Sequence, residues 1–185
     1  MKHVEVEVKF PLLNADELVA KLDKIAEKKT EKQKDTYYVP SHRNFITQSP
    51  ITEWLRVRES SKGVSLNYKD WQKKTEEENT TWCKEFETMV DDARALKEIF
   101  SKLGLSPIVV VDKARSMWTV KDVEIAVDEV VGLGSYIEFE AKGEFENVDE
   151  ATKHLYEVLE GIDAKVGVQD FKGYPHLLLE KKGLL

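Results

Sequence analysis

A single cysteine, Cys83, stands among 185 residues, so the chain can form neither an intramolecular disulfide nor a cysteine-rich zinc site, and a reducing compartment is expected. The four histidines, His3, His42, His154 and His176, are scattered without metal-ligand spacing. No apolar run approaches the length of a membrane span, and MKHVEVEVKF alternates where a signal peptide would run apolar. Positive charge is in deficit: 28 Lys and Arg against 35 Asp and Glu give a net charge of −7, which argues against general affinity for nucleic acid or an anionic membrane. Any anionic ligand must be drawn by a local cluster of bases. Repeats, linkers and low-complexity segments are also missing, and a chain of this length buries enough surface to need no staples. The expectation is one domain over residues 1–185 of a cytoplasmic protein.

What the chain has in quantity is alternation. Period-two patterning marks strands at Val4 to Phe10, Asp35 to Val39, Trp54 to Glu59, Val64 to Asp70, Trp82 to Thr88, Ile108 to Thr119, Val123 to Val131 and Tyr136 to Lys142. Helical periodicity marks Ala15 to Glu27 behind Asn14, Asp91 to Leu103 before Gly104, Asp149 to Glu160 before Gly161, and a shorter helix at Tyr174 to Lys181. Short links such as SSKG, TVKDVE and GLGS make successive strands antiparallel neighbours. KKTEEEN, Lys73 to Asn79, reads as a charged solvated loop, and Pro40 to Pro50 as a second long loop. The class is α+β.

Strand parity then sorts the charges. With the apolar positions on one face, the other carries Glu5, Glu7 and Lys9; Arg56 and Arg58; Asn67 and Lys69; Glu85 and Glu87; Lys113 and Arg115; Glu124 and Asp128; Glu138 and Glu140. An antiparallel sheet normally wets one face. A wet face, however, mixes its charges with Ser, Thr and Gln, whereas here acid pairs and base pairs occupy separate strands. That sorting favours an eight-stranded antiparallel β-barrel, a tunnel with charges inward and helices packed outside. Six bases face eight acids, a balance of −2.

Like charges two residues apart repel in a confined site and call for ligands of opposite sign. Arg and Lys clusters suit phosphate oxygens, and carboxylate clusters suit a hard cation such as Mg²⁺ or Mn²⁺. A triphosphate, at roughly −4 near neutral pH, would alone meet a site already negative. Two divalent cations return the total to about −2, so metal and phosphate should bind interdependently.

VEVEVKF resembles the ExExK signature opening the CYTH domain of the triphosphate tunnel metalloenzymes. LRVR, LNYK, KEFET, DKARSMW, IAVDEVVGLGSYIEFE and FKGYPHLLL resemble its later blocks in the same order, over nearly the whole chain. The resemblance implies an eight-stranded tunnel, a triphosphate held by inward Lys and Arg, and Mg²⁺ or Mn²⁺ held by inward Glu and Asp. Carried over by position, Glu5, Glu7, Glu87, Asp128, Glu138 and Glu140 are expected at the metal. Lys9, Arg56, Arg58, Lys69, Lys113 and Arg115 are expected at the phosphates, with Glu5, Glu7, Lys9 and Glu138 in catalysis. Glu85 and Glu124 share the parity with a weaker match. Tyr37 and Tyr174 resemble positions that line or cap the tunnel, packing being the equal alternative, and Lys172 is a further phosphate candidate or a solvated lysine.

Two reactions fit this ring of residues: hydrolysis of tripolyphosphate, a nucleoside triphosphate or thiamine triphosphate, and cyclisation of ATP to cyclic AMP and pyrophosphate. Class IV adenylyl cyclases resemble this chain in DKARSMW and VDEVVGLGSYIEFE, but carry a His-Phe pair ahead of ExExK. Here only Met1 to Val4 precede Glu5, and His3 is followed by Val4, so hydrolysis is the expectation. A non-catalytic polyphosphate or nucleotide-binding module would keep the bases but need not keep eight acids. Cys83 shares the parity of Glu85, an inert thiol being its default. Trp54, Trp71, Trp82 and Trp118 flank strands, where core or rim packing is the default, stacking of Trp71 on a nucleobase being the lesser alternative. The apolar outer wall would be covered by helices or by a second copy in a homodimer.

Overall fold

A computed structural model describes residues 4–72 and 79–185. His3 and all of the KKTEEEN segment except Asn79 lie outside the described residues. The strands are β1 (Val4–Pro11), β2 (Lys29–Pro40), β3 (Glu53–Ser60), β4 (Gly63–Trp71), β5 (Trp82–Val90), β6 (Leu105–Val120), β7 (Val123–Val130) and β8 (Gly134–Ala141). The helices are α1 (Ala15–Leu22), α2 (Ala93–Lys102), α3 (Val148–Gly161) and α4 (Tyr174–Lys181). All eight strands join in one closed barrel in the order β1-β5-β4-β3-β2-β6-β7-β8, every neighbour antiparallel. Closure leaves no exposed sheet edge.

Alternation decides which side of the wall each residue takes. Val6, Val8 and Phe10 of β1, Val123, Ile125 and Val127 of β7, and Ile137 and Phe139 of β8 share an outer core with Leu18 and Leu22 of α1 and Ala151 and Leu155 of α3. A second outer core joins Tyr38 and Val57 to Phe100 of α2, with Leu55, Leu66 and Leu96 packed on it. Fully burying side chains of this kind stabilises by about 1.5–3 kcal/mol each, so the apolar cores form outside the barrel and leave its interior to polar groups.

Helix ends follow local chemistry. Asp92 accepts from the Ala95 N–H and Asn147 from the Glu150 N–H, capping α2 and α3. Asn14 makes no such cap; its side chain instead accepts from Lys165 N and donates to Glu17. α1 ends at Leu22, short of the expected Glu27, after which the chain leaves the helix in a turn. β2 begins at Lys29, six residues ahead of the expected Asp35, and the Pro40–Pro50 loop contains a 3₁₀ turn over Phe45–Thr47. Phe86 keeps the expected outer parity yet is 50% exposed, so the apolar outer wall is not continuous over β5.

One end of the barrel is filled. Tyr37, Trp54, Val109, Val111, Val130 and Tyr136, from the inward faces of their strands, cluster with Tyr174, Leu178 and Leu179 of α4. Gly173, at φ 82°, turns the chain into that helix. The remaining interior is a cavity of roughly 340 Å³.

Candidate active site

The cavity wall is divided by charge. Bases come from β4 (Lys69), β3 (Arg56, Arg58) and β6 (Lys113, Arg115), and acids from β8 (Glu138, Glu140), β7 (Glu124), β1 (Glu5, Glu7) and β5 (Glu85, Glu87). Since the barrel runs β4-β3-β2-β6 on one side and β7-β8-β1-β5 on the other, a basic half-wall faces an acidic one. The division has exceptions: Lys9 and Lys142 are cations in the acidic half, Lys9 lying 2.9 Å from Glu138 and 3.3 Å from Glu7, and Glu31 and Asp35 of β2 are acids in the basic half.

Two arginines are each fixed by an aspartate through two parallel bonds. Arg58 Nε and Nη2 donate to Asp35 Oδ1 and Oδ2, both at 2.7 Å. Arg115 Nε and Nη2 donate to Asp128 Oδ1 and Oδ2 at 2.7 and 2.6 Å, and Arg115 also bonds Glu138. Forked pairing of this kind fixes the guanidinium plane. Asp128 also accepts from Lys113 Nζ and the Tyr174 hydroxyl, each at 2.9 Å. It is fully buried and does not line the cavity, unlike the other eleven residues expected at metal and phosphate. Glu5 accepts from Lys69 Nζ at 2.5 Å, Glu85 from Asn67 at 2.5 Å, and Glu87, half exposed at the mouth, from Ser65 at 2.9 Å.

The charges respond to this crowding. Burial pushes Asp35 up, but Arg56 and Arg58 outweigh it and hold the carboxyl down at about 2. Burial likewise opposes Glu138, and Arg115, Lys9 and Lys113 hold it well below the ordinary range. Burial pulls Lys9 down while Glu138 and Glu7 more than offset it. Lys113 goes the other way, lowered to about 8 by burial and by Arg115 beside it. Glu140 is pushed up to about 7, first by burial and then by Glu5, with Lys142 only partly offsetting them. Basic and acidic halves both carry charge that the wall leaves incompletely neutralised.

These donors suit hard cations held jointly with a phosphate. Among the described residues no group of three or more His, Cys, Asp or Glu forms a metal cage. Mg²⁺ needs none, since it is usually held by one or two carboxylates together with substrate phosphates. Glu5, Glu7 and Glu140 supply carboxylate oxygens crowded enough to repel one another, and a cation relieves that repulsion. On the opposite wall the buried Arg56 Nε has no hydrogen-bond partner among the described residues, as fits a group awaiting an anion.

Glu31, Gln33 and Asp35 of β2 also line the cavity, and parity counting missed all three. The outward residues of that stretch are the exposed Lys32 and Lys34, so no apolar face distinguished inside from outside. Tyr37, two residues beyond Asp35, carried the usable signal: stepping back from it in twos reaches all three. Tyr37 and Tyr174 both line the cavity and pack in the apolar plug. Lys172 lines it too, with its Nζ 2.6 Å from Glu180. Cys83 is buried with its Sγ 3.3 Å from Glu5, and burial pushes the thiol far up.

Comparison with known proteins agrees with this geometry. The family described as CYTH domain matches residues 3–170. A protein of Methanocaldococcus jannaschii named "Putative adenylate cyclase" is 29% identical over 167 residues, covering 87% of this chain and 89% of that one. The structure of PH1819 protein from Pyrococcus horikoshii superposes with a TM-score of 0.81 at 30% identity, covering 96% of this chain and 99% of the other. A Hippeastrum protein called a "putative adenylyl cyclase", with a dominant triphosphatase activity, shares the fold at a TM-score of 0.63 and 15% identity, over 98% of this chain and 96% of that one.

Proposed function

The chain belongs to the CYTH-domain family, whose members act on triphosphates, and from that premise we propose that it is a metal-dependent triphosphate hydrolase. The observation that carries this reading is the facing of a basic half-wall by an acidic one across a single cavity. Phosphoryl transfer asks a protein mainly for positioning and charge stabilisation. Arg56, Arg58, Lys69, Lys113 and Arg115 take the phosphate oxygens, with Asp35 and Asp128 holding Arg58 and Arg115 in plane. In this reading Asp128 is an anchor for the clamp and not a metal ligand, because its oxygens are already engaged by Lys113, Arg115 and Tyr174.

Glu5, Glu7 and Glu140, with Glu138 beside them and Glu87 nearer the mouth, would hold Mg²⁺ or Mn²⁺. When bound, the cation supplies charge neutralisation at the phosphates and lowers the pKa of a water molecule. Lys9, held between Glu7 and Glu138, reaches the phosphate from the acidic side. Hydrolysis forms a bond from a water oxygen to the terminal phosphorus and breaks the bond from that phosphorus to its bridging oxygen. The electron pair leaves with the diphosphate part, and the water proton passes to a carboxylate of the acidic wall.

A second reading is adenylyl cyclase, favoured by the 29% identity to the protein named "Putative adenylate cyclase". There the ribose 3′ oxygen would attack the α-phosphorus, with pyrophosphate leaving. That reaction must hold base and ribose and exclude water. Of the aromatic residues that line the cavity, Tyr37, Trp54 and Tyr174 are taken up in the plug and Trp71 is partly buried against it, which leaves little free surface for stacking a base and favours hydrolysis. Incubation of ATP or tripolyphosphate with Mg²⁺ or Mn²⁺, beside a Glu138→Gln control, decides between them. Orthophosphate that disappears in the control supports the hydrolase, whereas cyclic AMP with matching pyrophosphate overturns it.

A further inference from the structure

Gln33 of β2 breaks the pattern of its surroundings. It is an uncharged amide, 4% exposed, lining the cavity beside the basic wall, with Lys113 opposite on β6 and Ser60 on β3. Its Nε2 donates to Glu31 Oε2 at 2.9 Å. Glu31 is itself buried and further held by Ser61 at 3.5 Å and Lys62 at 3.6 Å. Burial opposes ionisation of Glu31, yet the bonds from Gln33 and Ser60 keep it below the ordinary carboxylate range, and its Oε2 is the acceptor of the Gln33 Nε2 bond. The amide is thereby turned one way, and its Oε1 is a buried acceptor with no hydrogen-bond partner among the described residues. Leaving such an atom unpaired forfeits the hydration it had in the unfolded chain.

An inorganic tripolyphosphate offers a wall almost nothing but acceptors, and so cannot satisfy that oxygen. Glu31 and Gln33 also stand toward the end of β2 away from the Tyr37 plug, with Met117 of β6 nearby on the same side of the cavity. Arg56 and Arg58 are registered with Tyr37 and Asp35 nearer the plug, and Lys113 and Arg115 with Gln33 and Glu31, so a triphosphate whose terminal phosphates sit on the two deeper arginines would bring its ester end up to Gln33 and Glu31. We infer that Gln33, oriented by Glu31, is a specificity-determining residue that selects a triphosphate ester bearing a hydrogen-bond donor, a sugar hydroxyl or an exocyclic amine, over inorganic tripolyphosphate. This rests on the triphosphate reading of the cavity but not on which bond is broken.

The test compares wild type with Gln33→Met, which keeps length and removes both polar atoms, and Glu31→Gln, which keeps volume and releases the amide. Both are measured with ATP, 2′-deoxy-ATP, 3′-deoxy-ATP, inosine triphosphate and tripolyphosphate, in kcat/KM and, by calorimetry in Ca²⁺, in affinity. The expected result is a fall of the ATP-to-tripolyphosphate ratio by about tenfold to a hundredfold in Gln33→Met, with a smaller fall in Glu31→Gln. Among the wild-type ligands, the one lacking the selected donor loses a similar factor. A ratio that stays within twofold in both variants overturns the inference. Should the protein bind these ligands without cleaving them, the affinity ratio still decides the role of Gln33, while the hydrolase reading fails separately.

Discussion

Asp35 and Arg58 face each other across the β2–β3 pair and share two parallel hydrogen bonds of 2.7 Å inside the barrel. The same carboxylate stands 3.5 Å from Arg56, so one buried acid sets two of the bases that face the cavity. Asp35→Asn leaves both guanidiniums less compensated, and removing one partner of a buried pair typically costs about 3–5 kcal/mol. The variant should melt well below wild type. Because an anion can replace the lost charge, added tripolyphosphate should raise its Tm more than it raises that of wild type.

Acid stability follows from the same residue. The Asp35 carboxyl, held down at about 2 against an ordinary 3.8, contributes on the order of 2 kcal/mol of stability above pH 4, which is lost as the pH falls toward 2. Denaturant titrations across pH 2–6 should show this component in wild type, and Asp35→Asn should flatten the slope of stability against pH between 4 and 2.

Arg115 tests geometry against charge. It is forked to Asp128 and also bonded to Glu138, an arrangement that a lysine ammonium cannot reproduce. Arg115→Lys should lose at least tenfold in kcat/KM for a triphosphate, with the net charge unchanged. Activity within twofold of wild type would show that charge alone suffices.

Glu140 sits where function works against stability. Burial and Glu5 disfavour its ionised form; so Glu140→Gln, in protein stripped of divalent cations, should be more stable than wild type by about 1–3 kcal/mol. The same substitution should raise the Mg²⁺ or Mn²⁺ concentration needed for half-maximal activity. Unfolding curves and metal titrations read the two effects independently.

Tyr174 ties the plug to the clamp through its hydroxyl on Asp128 at 2.9 Å. Tyr174→Phe keeps the packing with Tyr136, whose ring centroid lies 5.1 Å away, and should cost about 1 kcal/mol of stability. A larger loss in triphosphate affinity than this would mean that the hydroxyl also tensions Lys113 and Arg115.

Much of this was legible in the sequence because strands such as VEVEVKF and YIEFE mark their two faces plainly, apolar outside and ionic inside. The closed barrel and the cavity-lining position of fourteen of the fifteen residues on the ionic face follow from that parity. Legibility failed where the marking failed. In KTEKQKD both faces are polar, so Glu31, Gln33 and Asp35 gave no sign of pointing inward. Asp128 has the right parity, yet sequence spacing does not reveal that Tyr174, 46 residues away, and Lys113 converge on it. Nor does parity say that one end of the tunnel is filled by α4, since this depends on how an amphipathic helix folds back over inward Val109 and Val111.

The most direct measurement is calorimetric titration of tripolyphosphate at fixed ionic strength, with and without a divalent cation, paired with titration of the cation in the absence of phosphate. Ca²⁺ in place of Mg²⁺ guards against turnover. Tripolyphosphate should bind tightly only with the cation, the cation alone should bind weakly, and the tight tripolyphosphate binding should be lost when Arg58 and Arg115 are replaced by Ala. Equal tripolyphosphate affinity with and without cation, or binding unaffected by Arg58→Ala and Arg115→Ala, would contradict it.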